Sequence, residues 1–296
     1  MTCVSCANSS QRTPTSGVGS SRAEASDNLR RSATGGPLAA TQNQYDPIAE
    51  LYDGYPGNYL EDVLFFAEEA RAAGSPILEI GVGTGRLALC LAAIGLEVVG
   101  IDSSPAMLRV LARNRAGHPE LPGRVLAVAA DMRAFALRRR FPLAIIPFRA
   151  FLYLLTAADR RRALRAVRRH LAPGGKLIMS FFVPPADLLD KGRLARQEMA
   201  RFQAAEADGE VVAFDSTEFL PRRQQVISHI TYEWRDSAGR TTRRFEHTLV
   251  ARYLFPAEVP PLLESCGYQV VAAYGSFARE PLAPESHEQI WIAEAI

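Results

Sequence analysis

Along the middle of the chain, short apolar runs alternate with longer stretches in which apolar residues recur at helical spacing. Leu60 to Ala73 reads as an amphipathic helix, ended by Gly74 and Pro76. Ile77-Leu78-Glu79-Ile80 follows as a short buried strand, Gly81 to Gly85 as a glycine turn, and Arg86 to Ile94 as a helix stopped by Gly95. Leu96 to Ile101 predicts the next strand. Ser103-Ser104-Pro105 then opens a helix with a capping serine and an early proline. Arg124 to Ala129, Leu143 to Phe148 and Lys176 to Phe182 are three further apolar strands. The helix Ala157 to His170 lies between the last two and is closed by Pro173-Gly174-Gly175. Strands joined by helices of this length pair in parallel, in a sheet covered on both faces.

The pattern changes after Pro185. A helical stretch from Asp187 to Ala200 leads into polar segments with period-two patterning. From Val226 to Trp234 the even positions are largely apolar, as in a half-buried strand; Asp236-Ser237-Ala238-Gly239 is a turn, and a second alternating run spans Thr241 to Tyr253. Together they predict an antiparallel hairpin, inserted before a helix (Ala257 to Cys266) and two last strands, Tyr268 to Tyr274 and Gln289 to Ala293. The expected fold class is α/β: a doubly wound, mostly parallel seven-stranded sheet carrying this hairpin as an elaboration.

Residues 1 to 41 are rich in Ser, Thr, Asn, Gly and Ala, with almost no large apolar side chains. Such a segment buries too little surface to offset its ordering entropy, so it is expected to be a disordered tail, with the folded domain spanning 42–296. The 296 residues carry a formal net charge of +2, which does not call for a polyanionic partner. No run approaches the roughly 18–20 apolar residues of a membrane span, and the start lacks the apolar core of a secretory signal. A cytoplasmic protein without membrane contact is expected. Cys3 and Cys6 form a lone CxxC without a second ligand pair, so no metal is expected; Cys90 and Cys266 sit in apolar helical patterns and read as core.

The chemistry concentrates between the first strand and the second helix. Glycines at 81, 83 and 85 let the backbone turn tightly and let a ligand approach without a Cβ clash. Dinucleotide sites use GxGxxG to seat a pyrophosphate on a helix N-terminus; here the spacing is GxGxG, and Arg86 takes the third glycine's place. Glu79, a carboxylate aimed towards the turn, suits the positive end of an amino-acid-bearing cofactor better than a pyrophosphate. Asp102 ends the second strand, where it can accept both hydroxyl protons of an adenosine ribose, or cap a helix. Asp131-Met132 end the third, where a carboxylate can accept from an adenine amino group or sit solvated in a turn. Ser103 lies beside Asp102, and Met107 is placed to pack on an adenine face or in the core.

These residues resemble the class I S-adenosylmethionine-dependent methyltransferases, with a Rossmann-like core. In that family a motif like Glu79-Ile-Gly-Val-Gly-Thr-Gly85 holds the methionine part, the acid matching Asp102 takes the ribose, and the one matching Asp131 sits by the adenine. Phe148 and its neighbours resemble the family's motif after the fourth strand, and Leu171-Ala-Pro-Gly-Gly-Lys176 is similar to a frequent turn before the fifth. The resemblance runs over about residues 44–296, its ending Tyr274-Gly-Ser-Phe-Ala-Arg-Glu-Pro-Leu looking like a small-molecule bacterial subgroup. Pro142 departs from it, standing where the family often has Asp. The resemblance implies S-adenosyl-L-methionine as cofactor and methyl transfer by in-line displacement to an N, O or S nucleophile.

Three alternatives stand beside this reading. An NAD(P)-dependent oxidoreductase shares the fold class, but GxGxG with Glu79 upstream disfavours it. A catalytically inactive cofactor-binding module would keep the same motif. A nucleic-acid or protein methyltransferase is the third: the runs Arg138-Arg139-Arg140 and Arg160-Arg161-Arg162 are basic, yet Ile146-Pro147-Phe148-Arg149 lacks the Asn/Asp-Pro-Pro-aromatic signature that holds a flipped base. A small-molecule acceptor is favoured. In a doubly wound sheet it would sit beyond the strands' carboxyl ends. Arg149 and Tyr153 are there to hold it, with Arg149 also open to a structural salt bridge. The entry aromatics Tyr45, Tyr52 and Tyr55 and the 185–255 insertion would close over cofactor and acceptor, with His247 in the hairpin and His229 read as either a base or a solvated residue.

Overall fold

The computed structural model describes residues 43–54, 61–203 and 209–296. The expected disordered tail, with Cys3 and Cys6, and Tyr55 lie outside the described residues. The first half builds as its pattern implies: α1 (Glu61–Ala73), β1 (Ile77–Ile80), α2 (Arg86–Ala93), β2 (Glu97–Asp102), α3 (Pro105–Ala116), β3 (Arg124–Ala129), β4 (Phe141–Ile146), α4 (Ala157–His170) and β5 (Leu171–Phe182). Ser104 caps α3, its hydroxyl accepting from the Met107 amide at 3.0 Å. After the insertion come α6 (Val259–Glu264), shorter than expected, then β10 (Tyr268–Tyr274) and β11 (Glu288–Ala295).

The seven strands form one sheet in the order β10-β11-β5-β4-β1-β2-β3. β1 pairs in parallel with β2 and β4, as do β2 with β3 and β4 with β5; β11 alone runs antiparallel, to both β5 and β10. β1 lies inside the sheet, between β4 and β2, with all four residues buried. Leu78 and Ile80 face one core beside α4, while Ile77 faces a second core beside α1 and α2. Alternation along the strand therefore places Glu79 on the α1/α2 side.

The insertion is larger than a hairpin. β6 (Arg193–Phe202), β7 (Glu210–Leu220), β8 (Gln225–Arg235) and β9 (Thr241–Arg252) form a four-stranded antiparallel sheet, of which the expected hairpin is the β8–β9 part. The helix expected over Asp187 to Ala200 stops early: α5 is Ala186–Lys191, and Gly192 turns left-handed at φ +69°. From Arg193 the chain pairs with β7 instead. Its Arg, Gln, Glu, Met and Ala are good helix formers, but ladder hydrogen bonds to a neighbour outweigh a preference worth only tenths of a kcal/mol per residue. Among the described residues no helix is long and apolar enough to cross a membrane.

Candidate functional site

The carboxyl ends of β1, β2 and β4 open on a cavity of about 270 Å³. Its floor is the glycine turn, where Gly81, Gly83 and Gly85 all take left-handed backbone (φ +74°, +55° and +88°). A Cβ on Gly81 would come 2.8 Å from the Ala150 Cβ, so close approach as well as conformation demands glycine there. The amides of Gly81 and Val82 donate to the Ile101 carbonyl at 2.8 and 3.0 Å, and that of Gly83 to Asp102 Oδ2 at 2.9 Å. Asp102 Oδ1 accepts from the Ser104 amide at 2.8 Å. Burial raises the Asp102 carboxyl above its usual range, against the pull of these amides.

Glu79 does not line the cavity, and neither does Gly85 at the far end of the glycine turn. Glu79 is 2% exposed, its Oε2 has no hydrogen-bond partner, and burial pushes its carboxyl up to about 8. Arg86 forks onto the buried Asp62 at 2.8 and 2.5 Å, and its guanidinium lies over the Phe148 ring, 4.9 Å from the centroid. Burial works against the Arg86 charge, but Asp62 holds it on. Sequence reasoning saw Arg86 only as a missing glycine; its partner 24 positions upstream gave no local signal.

The entry segment closes the cavity from above and is tied down on both sides. Towards the parallel sheet, Asn43 donates to Ser103 Oγ (2.8 Å), the Ser104 hydroxyl to Asp46 (2.5 Å) and Thr84 to Asp53 (2.5 Å). Towards the antiparallel sheet, Gln44 accepts from the Val250 amide at 2.6 Å, and its carbonyl meets His247 Nε2 at 2.6 Å. Ile48 buries itself against Val211, Tyr232 and Trp234. Asn43, Asp46 and Asp53 were missed in the sequence, where a polar residue ahead of an aromatic cluster was the available sign.

Tyr45, Tyr52 and Tyr153 line one wall. The Tyr45 and Tyr153 hydroxyls are 2.5 Å apart, and Tyr45 packs edge-on against both other rings. Burial raises the hydroxyls of Tyr45 and Tyr52 above the usual tyrosine range. Ser103, Met107, Met132 and Phe148 complete the walls. Phe148 and Arg149 are consecutive non-glycine residues in left-handed backbone (φ +49° and +69°), a turn held by Ser180, whose carbonyl accepts from the Arg149 amide at 3.2 Å. Asp131 also lines the cavity, but its carboxylate is taken by Arg133 (2.9 and 2.5 Å), which holds it below the usual range; Arg133 reaches Asp159 at 3.6 Å.

Two expected acceptor residues lie elsewhere. Arg149 turns its guanidinium to Glu288 (3.2 Å) and over the Phe182 ring, so its charge is already paired. His229 stands on the outer face of β8, 45% exposed, near Glu218 (3.7 Å) and Thr248 (3.3 Å). The inner positions of that strand, Ile230, Tyr232 and Trp234, are the ones that pack towards the entry segment.

Residues 77–175 match the family model described as a methyltransferase domain, and this match, the fold and the relatives below support a class I S-adenosylmethionine-dependent methyltransferase. The chain is similar to the cypemycin N-terminal methyltransferase of a Streptomyces species, 26% identical over 259 residues that cover 84% of this chain and 94% of that protein. Among solved structures it resembles the CcbJ methyltransferase from Streptomyces caelestis (TM-score 0.69, 27% identity, 86% of this chain and 98% of that one). It also resembles the glycopeptide N-methyltransferase MtfA complexed with sinefungin (TM-score 0.53, 26% identity, 79% of this chain and 85% of that one).

Proposed function

We propose that the protein methylates an amine of a small-molecule acceptor, with residues 42–296 as the methyltransferase domain and 185–255 as the acceptor-site cover. The observation that carries the amine reading is the composition of the cavity wall. Among the described residues no His or Lys lines it, Asp131 and Asp159 are engaged by Arg133, and Asp102 is engaged by backbone amides. Tyr45 and Tyr52 keep their protons at neutral pH. A poorly acidic hydroxyl would need a base to take its proton, whereas an amine delivered neutral does not. The relatives named above as an N-terminal methyltransferase and a glycopeptide N-methyltransferase support the same nucleophile.

The residues fit the cofactor. The unpartnered oxygen of buried Glu79 suits an ammonium, Asp102 a ribose, and the Met107 and Met132 walls an adenine, with the Asp131–Arg133 pair at its edge. S-adenosylmethionine, when bound, supplies a methyl group on a sulfonium, itself a good leaving group. What remains for the chain is to align the acceptor and exclude water, work that can supply roughly 7–11 kcal/mol. The tyrosine wall and the entry segment are placed for both tasks.

The test pairs small primary and secondary amines with the matching alcohols and follows transfer of labelled methyl. Amines should be methylated and alcohols not. Tyr153→Phe should lower turnover at least tenfold with cofactor affinity unchanged, while His229→Ala keeps full turnover. Methylated alcohols, or full activity in Tyr153→Phe, would overturn this reading.

A further inference from the structure

Outside the cavity, a second polar centre lies between α4, the end of β9 and the helical turn Pro256–Glu258. Arg160, on the inner side of α4, is only 2% exposed, and its Nε and Nη2 have no hydrogen-bond partner. Those two nitrogens form one edge of the guanidinium, the edge that presents two parallel N–H groups to a planar or tetrahedral oxyanion. Arg252 stands nearby with its own Nε buried and unpartnered, while its Nη2 donates to Gln224 Oε1 at 2.8 Å. The nearby carboxylate, Glu258, favours the Arg160 charge without filling its fork: its Oε2 accepts from Gln224 Nε2 (2.6 Å) and the Phe255 amide (2.8 Å). Tyr253, fully buried and also under the influence of Glu258, leaves its hydroxyl without a partner.

An excess of buried positive charge with its fork open is costly. Burial and the neighbouring Arg252 lower Arg160 to about 10, which still leaves it charged at neutral pH. Nothing among the described residues fills the fork. We propose that Arg160 and Arg252 form a buried oxyanion site, which takes a carboxylate or phosphate-class group on the Nε–Nη2 edge of Arg160. The site is independent of the methyl-transfer reading, since none of its residues lines the cofactor cavity.

The experiment measures melting temperature and equilibrium dialysis of the full chain, saturated with S-adenosylhomocysteine so that the main cavity takes no part. The probes are inorganic phosphate and acetate, each against sodium chloride at matched ionic strength. Phosphate or acetate should raise the melting temperature of the wild type beyond chloride, with about one ion bound per chain; which of the two does so identifies the class. Arg160→Met should lose that increment and melt higher than wild type in chloride alone, because it removes an uncompensated buried charge. Arg160→Lys, which keeps the charge without the fork, should weaken anion binding at least tenfold. The same anion increment in all three proteins would be the general salting effect and would overturn the proposal, as would its absence from the wild type.

Discussion

Glu79→Gln is the substitution on which the cofactor reading turns most sharply. In the free protein the Glu79 carboxyl is buried and raised to about 8, so near pH 7 roughly nine-tenths of it is protonated. A cation brought to ~6 Å in a medium of effective dielectric ~20 favours the carboxylate by about 2.8 kcal/mol, or roughly two pH units. A shift of that size takes the group from mostly protonated to mostly ionised at pH 7, so binding should release most of one proton from this residue. Calorimetry in buffers of different ionisation enthalpy counts those protons. The difference between wild type and Glu79→Gln reads that release net of any proton the ligand's own amine takes up beside the carboxylate, since the two groups titrate as a pair. The variant should also bind about tenfold or more weakly, having lost a charged partner. Stability supplies an independent sign. The neutral carboxyl is what the folded state prefers, so the stability tied to Glu79 is present at low pH and drains away as pH climbs from the ordinary carboxylate range through about 8. Glu79→Gln should therefore gain in melting temperature relative to wild type between about pH 6 and pH 9. Equal proton release in the two proteins would refute the placement of a cation beside Glu79.

Asp102→Ala should keep the fold, checked by circular dichroism, and weaken cofactor binding by at least about 1.5 kcal/mol in a direct titration; unchanged affinity would remove the ribose assignment. Gly81→Ala should lower the melting temperature and abolish cofactor binding, because the new Cβ meets Ala150 at 2.8 Å in backbone that disfavours side chains.

The core of this fold was legible because its signals are local and redundant. A short, mostly apolar strand, three glycines, a capping serine and a proline at a helix start each mark the same boundaries between Ile77 and Pro105. The antiparallel sheet was legible only where one strand carries its own alternation, as in Val226 to Trp234. β6 is built from helix formers, and β7 sets a block of apolar residues (Val211–Phe214) before a block of polar ones (Asp215–Glu218) without alternation; both become strands because each has a neighbour to pair with, and pairing is not a property of a window. The site divides in the same way. The glycines and Asp102 could be placed from spacing alone, whereas Asp46 and Asp53 matter through partners 58 and 31 residues away. Glu79 shows why the division runs where it does. Its position could be read, but its protonation could not: a carboxylate is defined by the water it keeps, and only the packing of β1 between β2 and β4 shows that this one has lost it. Arg149 is the converse, a charge free on paper that the folded chain commits to Glu288. In both cases burial and pairing, made by residues distant in sequence, decide which polar side chains are left to meet a ligand.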